Sequence, residues 1–348
     1  MHLIIKFPAM KISIVNLMMC FLLLFSCGKK EVENKNIKVG ISVGPNQERW
    51  DKDRDFLRHY LELQNVDVYV KEAMGDEKQQ AGQVKELVDE NEIDVLIIIP
   101  VNSETAGRMV GYAKANDVKV IAYDRIVRNC DLDFYISFDN VRVGEIQAEY
   151  LTKIKPEGKY ALLGGDANDN NSALLKIGQM NILQPYILKG DIEIVLDQNV
   201  KNWDGDNAYT IVNNFLNNNE LDAIIASSDA LSEGVARALT DHQLTGKILL
   251  SGQDAETSAC RRIVEGRQTM TVYKVIESLA SSTANIAISF AKNEEISNPQ
   301  MTINNGNKMV PALLLSSVMP VAKENLRMTV IADGYIDENA VFKPVRNN

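Results

Sequence analysis

Between residues 37 and 291, short apolar runs alternate with stretches whose apolar residues recur every three to four positions. The runs predict strands, and the recurring stretches predict helices. The first part reads strand 38–43, helix 50–63, strand 66–70, helix 77–88, strand 93–100, helix 104–115, then strands 119–123 and 134–138. Phe56, Leu57, Tyr60 and Leu63 share one face of the first helix. Ile97, Ile98 and Ile99 form a continuous run instead of an alternating one. A strand covered on both faces, as in a parallel sheet, reads that way.

The pattern then restarts. Helix 143–154 leads to strand 160–163, helix 173–188 to strand 192–196, and helix 207–217 to strand 223–226. Helix 230–239, strand 248–251, helix 257–264 and strand 269–273 complete the second set. Two successive strand–helix–strand sets predict an α/β chain with two doubly wound parallel-sheet lobes. A helix over 276–291 and the apolar tail segments 313–318 and 329–332 remain to be shared between them.

Composition narrows the class. The length of 348 residues allows about two domains. A formal net charge of -10 argues against a general nucleic-acid binder, which needs a basic face. No interior run approaches the apolar length of a membrane span. Four cysteines do not make a disulfide framework at this length, and whether Cys130 and Cys260 pair stays open. Three histidines, His2 among them in the leader, leave little for a metal centre, and neither metal nor cofactor is expected.

The first 30 residues carry their own signal. Lys11 precedes an apolar stretch that ends in Leu24-Phe25-Ser26-Cys27. A basic start, an apolar core and a small residue before the cut describe an export signal. A cysteine after Leu-x-Ser resembles a bacterial lipoprotein box, which makes 1–26 a signal peptide and Cys27 the lipidated residue. Met10 offers a second possible start. Residues 27–36 read as a tether. Cutting after residue 26 removes two lysines and no acid, taking the charge from -10 to -12. The expected location is the bacterial cell envelope, with the domain facing the periplasm or the exterior.

In parallel α/β sheets, ligand groups sit just past the carboxyl ends of the strands. Here those positions hold 45–50, Asp124 and Arg125, 166–171, 199–203, 227–229, Gln253 and Asp254, and Lys274. They are rich in Asp, Asn and Arg and include both tryptophans, Trp50 and Trp203. A neutral ligand with several hydroxyls suits such a set, because each hydroxyl both donates and accepts. Flat indoles cover the apolar faces of a sugar ring. Polar residues collect in loops for many reasons; the coincidence of several strand ends is what carries weight.

Several of these segments are recognisable. ERWDKDRD, DVLIIIPVN, VIAYDR, DFYISFDN, VGEIQA, DNN, LSGQDAE and QTMTVYK resemble the periplasmic sugar-binding proteins of ABC transporters, the D-xylose-binding members above all. The likeness covers about residues 37 to 340. It implies two lobes joined by a three-strand hinge, with sugar in the cleft between them. The first lobe would then be 37–138 plus about 275–303, and the second 139–274 plus about 304–348. The crossings would lie near 137–140, 272–274 and 302–305.

The resemblance also implies ligand contacts. Arg49 and Trp50 match a hydrogen-bonding arginine and a stacking aromatic. Asp124 and Arg125 match a first-lobe acid and base. Asp169 and Asn171 match second-lobe contacts, and Trp203 the second stacking partner. Asp254 and Lys274 match the remaining polar contacts. Ser228 departs, standing where the xylose binders carry Asn.

The implied partners are a monosaccharide, D-xylose first, a membrane permease of the ABC type, and lipid through Cys27. No nucleic acid and no enzymatic reaction are expected. Two rival readings remain: a receptor that presents sugar to a membrane sensor kinase, and a secreted sugar hydrolase using a carboxylate pair. Asp166, Asn168 and Asn170 begin like a calcium loop, but Asn171 and Ile177 stand where such a loop needs Gly and Glu.

Overall fold

The computed structural model describes residues 3–4, 36–296 and 299–342. Cys27, nearly all of the leader and nearly all of the tether lie outside the described residues. The account below concerns the unit that begins at Ile37.

Its first sheet holds β1 (Lys38–Val43), β2 (Asp67–Glu72), β3 (Val95–Ile99), β4 (Lys119–Tyr123) and β5 (Phe134–Phe138). Their spatial order is β2-β1-β3-β4-β5, all parallel. Side chains of β3 alternate between two cores. Val95, Ile97 and Ile99 pack with Ile41, Leu57, Leu61 and Leu279; Leu96 and Ile98 pack with Val84, Leu87 and Val110. Helices α1 (Glu48–Glu62) and α9 (Ile276–Ala291) supply the first cover; α2 (Glu77–Asp89) and α3 (Gly107–Ala115) supply the second. This double cover explains the continuous isoleucine run. Each fully buried isoleucine contributes about 1.5–3 kcal/mol.

The second lobe opens with α4 (Asn140–Ile154). Its sheet has the order β7-β6-β8-β9, all parallel, from β6 (Gly158–Gly164), β7 (Ile192–Asn199), β8 (Ala223–Ala226) and β9 (Leu249–Leu250). Helices α5 (Asn170–Lys189), α6 (Gly205–Leu216) and α7 (Asp229–Asp241) join α4 around one continuous core. A short helix, α8 (Thr257–Val264), and a terminal turn of helix, α10 (Glu338–Phe342), pack on a smaller cluster.

The tail departs from expectation in two ways. The resemblance puts segment 304–315 in the second lobe, but its strand β12 (Met309–Leu315) pairs parallel with β5 and extends the first sheet. β11 (Met301–Asn304) folds back antiparallel on β12 at that sheet's edge. Consequently 302–305 is part of a hairpin and not a crossing. Asn305 at its tip donates to the carbonyls of Val127 and Cys130, within the first lobe. Strand β10 (Thr271–Lys274) also leaves the parallel sheet, pairing antiparallel with β13 (Val318–Val321) as a separate ribbon.

The true third crossing is 315–318. It lies beside the other two, at 138–139 and 274–275. The Asp139 amide donates to the Leu315 carbonyl at 3.0 Å, and the Val275 amide to the Ser317 carbonyl at 3.1 Å. Three adjacent strands thus connect the lobes, the arrangement of a hinge.

Candidate functional site

The first-lobe wall starts where β1 gives way to α1. Gln47 is the N-cap of α1, so Arg49 and Trp50 occupy its first turn. The Trp50 indole N–H donates to Gln47 Oε1 at 2.8 Å. Arg49 Nε donates to Asp53 Oδ2, one helical turn on, at 3.0 Å. Its other nitrogens donate to Asp124 and, at 3.3 Å across the cleft, to Asp254 Oδ1. Asp53 is fully buried and also accepts from the Tyr123 hydroxyl. The Arg49 and Arg125 guanidinium carbons sit 4.4 Å and 5.3 Å from the Trp50 ring centre, within cation–π range.

Asp124 follows directly from β4, and its φ of 60° lies in the left-handed region. Its carbonyl oxygen accepts from Tyr135, Ser137 and Asn171 at 3.1, 2.8 and 3.2 Å. These bonds hold a conformation that a non-glycine residue disfavours.

The second-lobe wall is made of loops. Asp169 caps α5, accepting from the Asn171 amide at 3.0 Å. Its other oxygen accepts the Trp203 indole N–H at 3.2 Å and Arg125 Nε at 2.9 Å. Trp203 ends a single 3₁₀ turn in which Asn202 and Trp203 have φ of 58° and 56°. Gly165 lies under the indole; a Cβ there would stand 2.1 Å from it. Ser228 caps α7, accepting from the Leu231 amide at 3.3 Å. Asp254 and Ala255 turn at φ of 99° and 51°. Asp254 Oδ1 also accepts from Lys274 Nζ at 2.9 Å, and the Lys274 side chain is almost wholly buried.

All ten residues expected from the sequence line one cavity between the walls. Gln47, Ala230, Gln253 and Glu256 line it too and were not among them. Gln47 and Gln253 did stand at strand ends; Ala230 and Glu256 gave no separate signal. Three pairs span the cleft inside it: Arg125 with Asp169, Arg49 with Asp254, and Asn171 Nδ2 with Asp124 Oδ1 at 2.9 Å. The lobes are therefore closed on each other.

The site's charges nearly balance. Arg49, Arg125 and Lys274 face Asp53, Asp124, Asp169 and Asp254. Burial would raise the Asp124 pKa, but Arg49 and Lys274 outweigh it and hold the carboxyl below its usual range. Burial pushes Asp53 and Asp169 upward, with Arg49 and Arg125 opposing. Burial likewise works against the Arg49 charge, yet Asp124, Asp53 and Asp254 keep its pKa well above the ordinary arginine value. No excess positive charge is available to an anion.

Two acceptors remain. Among the described residues, Asn171 Oδ1 and Gln253 Oε1 are buried without a hydrogen-bond partner, and both residues line the cavity. A buried orphan acceptor costs about 1–3 kcal/mol. Groups of that kind in a cavity are complementary to a ligand that donates. Cys130 and Cys260 are both free and buried, in different lobes.

Comparison with known proteins agrees with this architecture. The chain is 45% identical over 312 residues to the D-xylose-binding periplasmic protein of Haemophilus influenzae, covering 89% of this chain and 93% of that one. It is 42% identical over 333 residues to the protein of the same name from Escherichia coli K12, covering 95% and 99%. A carbohydrate transporter solute binding protein from Chloroflexus aurantiacus, solved in complex with D-glucose, superposes with a TM-score of 0.81 at 28% identity. That match covers 88% of this chain and 98% of the other. Residues 39–295 match the periplasmic binding protein domain. With that match and those identities over nearly the whole chain, the protein belongs to the periplasmic binding protein family.

Proposed function

We propose that the cavity captures one monosaccharide, D-xylose, and that the closed form delivers it to an ABC importer. The protein is a sugar-binding, solute-binding component of this transporter class and not an enzyme. The observation that carries the choice of ligand is the donor and acceptor inventory. Charges that nearly cancel suit a neutral molecule, and the two orphan acceptors of Asn171 and Gln253 suit hydroxyl donors. Arg49, Arg125 and Lys274 donate to ring and hydroxyl oxygens; Asp124 and Asp254 accept. Asp169 holds Trp203 and Arg125 in place, Ser228 contributes its hydroxyl, and Trp50 and Trp203 cover the apolar ring faces.

Size supports a single ring. The centre of a water molecule ranges over about 30 Å³ of the cavity. Adding a water radius of ~1.4 Å around a rounded space of that size gives room for roughly 150 Å³ of matter. One pentose ring is of that order.

Capture is closure. Sugar bonded to both walls favours the closed form by its differential affinity for it. The three crossings at 138–139, 274–275 and 315–318 absorb the motion, and the permease reads the closed shape. Membrane attachment is through Cys27, whose thiol receives a diacylglycerol and which becomes the N-terminus when residues 1–26 are removed. The lipid holds the domain at the periplasmic or outer face of the membrane. Cys27→Ser is expected to release the protein into the soluble fraction, and persistence with membrane lipid refutes the anchor.

Titration calorimetry with D-xylose, ribose, glucose and galactose tests the ligand. Xylose is expected to bind tightest. Tighter hexose binding overturns xylose while leaving a sugar receptor.

A further inference from the structure

We infer that Asp229, which touches neither the cavity nor any residue across the cleft, is a positioning residue that sets the place of Asp254. This rests on the sugar-binding reading of the cavity. Asp229 is fully buried at the first turn of α7. Its Oδ1 accepts from Gln268 Nε2 at 2.9 Å. Its Oδ2 accepts from the Thr271 hydroxyl at 2.8 Å and from the Glu256 amide at 3.0 Å. Its own amide donates to the Gln253 carbonyl at 2.9 Å. Thr271 in turn accepts from the Ala255 amide at 3.3 Å.

Those partners bracket one loop. Residues 252–256 carry Gln253, Asp254 and Glu256 into the cavity. The loop turns through left-handed backbone at Asp254 and Ala255, both non-glycine. Alanine in particular gains nothing locally from such a conformation. Something must hold it, and Asp229 holds it from both ends, its backbone amide at Gln253 and its carboxyl group at Glu256. Gly252 is fitted against the same group: a Cβ there would stand 1.9 Å from Asp229 Oδ1. The loop also leans on β10, through Asp254 to Val272 and Val272 to Gly252 backbone bonds of 2.8 and 3.2 Å. The clamp therefore joins the loop to the hinge strand that delivers Lys274.

An alternative is that Asp229 merely caps α7. Ser228 already does so, and burying an acidic side chain is costly. Cost of that kind is kept where a precise arrangement depends on it. With the clamp gone, Asp254 leaves its place between Lys274 and Arg49, and the sugar loses the bonds made there.

The test is a double-mutant cycle read by calorimetry with D-xylose. Asp254→Ala is expected to weaken binding a hundredfold or more, and Asp229→Asn tenfold or more. If Asp229 acts through Asp254, the double variant binds within threefold of Asp254→Ala alone. In ligand-free Asp229→Asn, hydrogen exchange of the Ala255 and Glu256 amides is expected to accelerate while α7 amides stay protected. Binding of Asp229→Asn within twofold of wild type overturns the inference. So does a full tenfold loss repeated in the Asp254→Ala background. If Asp229→Asn does not fold, Thr271→Val removes one strut at constant shape. It is expected to lose threefold or more, again not additively with Asp254→Ala; binding within twofold of wild type overturns the inference. Asp254→Ala that binds like wild type overturns the sugar-site reading itself.

Discussion

On the first-lobe wall, Arg49, Asp53, Asp124 and Tyr123 form a buried charged cluster on a strand end and a helix start. On the second-lobe wall, Asn202, Trp203, Asp254 and Ala255 sit in loops with left-handed backbone. Charge dominates the first wall, where Asp124 alone of these four is left-handed, and conformation dominates the second. A charged cluster resists losing any member, because the others are left unpaired in low dielectric. A strained loop resists little; each left-handed non-glycine residue costs on the order of 1–3 kcal/mol. Substitutions on the first wall should therefore cost more stability than those on the second, which should show in affinity as well.

Arg49→Met presses hardest on that contrast. It leaves Asp53, Asp124 and Asp254 without their shared cation. Urea unfolding at neutral pH is expected to show a loss of about 3–5 kcal/mol, the usual effect of breaking a buried ion pair. Adding Asp53→Asn should return part of it. A loss below about 1 kcal/mol would mean that the cluster is not what holds this wall.

Gly165→Ala probes the other wall. Its Cβ meets the Trp203 indole, so the ring has to shift. Sugar affinity is expected to fall tenfold or more, about 1.4 kcal/mol upward, with overpacking costing about 1–3 kcal/mol of ligand-free stability. Unchanged affinity would show that Trp203 does not lie against the sugar.

What the sequence made legible follows the same division. The continuous apolar run of Ile97, Ile98 and Ile99 is local, so β3 and its double cover were readable. Asp124 and Arg125 follow a clear strand end, and their direction is fixed by that strand. Strand β12 was different. MVPALLL is apolar in whichever sheet it joins, and its partner β5 lies far back in the chain. Nothing local reports that choice. Glu256 reaches the cavity after the backbone has turned at Asp254 and Ala255. Apolar periodicity carries no record of such a turn.

Asp229 sharpens the comparison by pH, since it places charge beneath the conformational wall. Burial raises its pKa to about 7, chiefly against Arg262, which lowers it. The unfolded value is about 3.9. Between these values the native state holds a proton that the unfolded state has lost. Stability should therefore fall as pH rises from about 4 to 7 and level off above, with a slope of at most about 1.4 kcal/mol per pH unit. Other buried acids add their own slopes, so the readout is wild type minus Asp229→Asn in urea unfolding from pH 5 to 8. A difference that does not change with pH would remove the charge from beneath that wall.

The smallest effect belongs to Ser228, where the resemblance to the xylose binders implies an Asn. Its hydroxyl both lines the cavity and accepts the Leu231 amide as the cap of α7. One short arm cannot serve the helix and a sugar hydroxyl equally well. Asn is as good a cap as Ser, so Ser228→Asn should leave ligand-free stability nearly unchanged. Its amide adds a donor that the serine, engaged as an acceptor, supplies only by rotating its proton. Xylose binding is expected to tighten by about 0.5–1.5 kcal/mol, the net contribution of one ordinary hydrogen bond. Calorimetry on the variant with xylose and glucose reads both sides of this. Tightening for xylose with no gain for glucose places Ser228 against a hydroxyl that the two walls already orient. A loss of glucose binding that wild type possessed would instead show that Ser228 makes room for the extra hydroxymethyl group. In that case the conformational wall, and not the charged one, sets which sugar this protein takes.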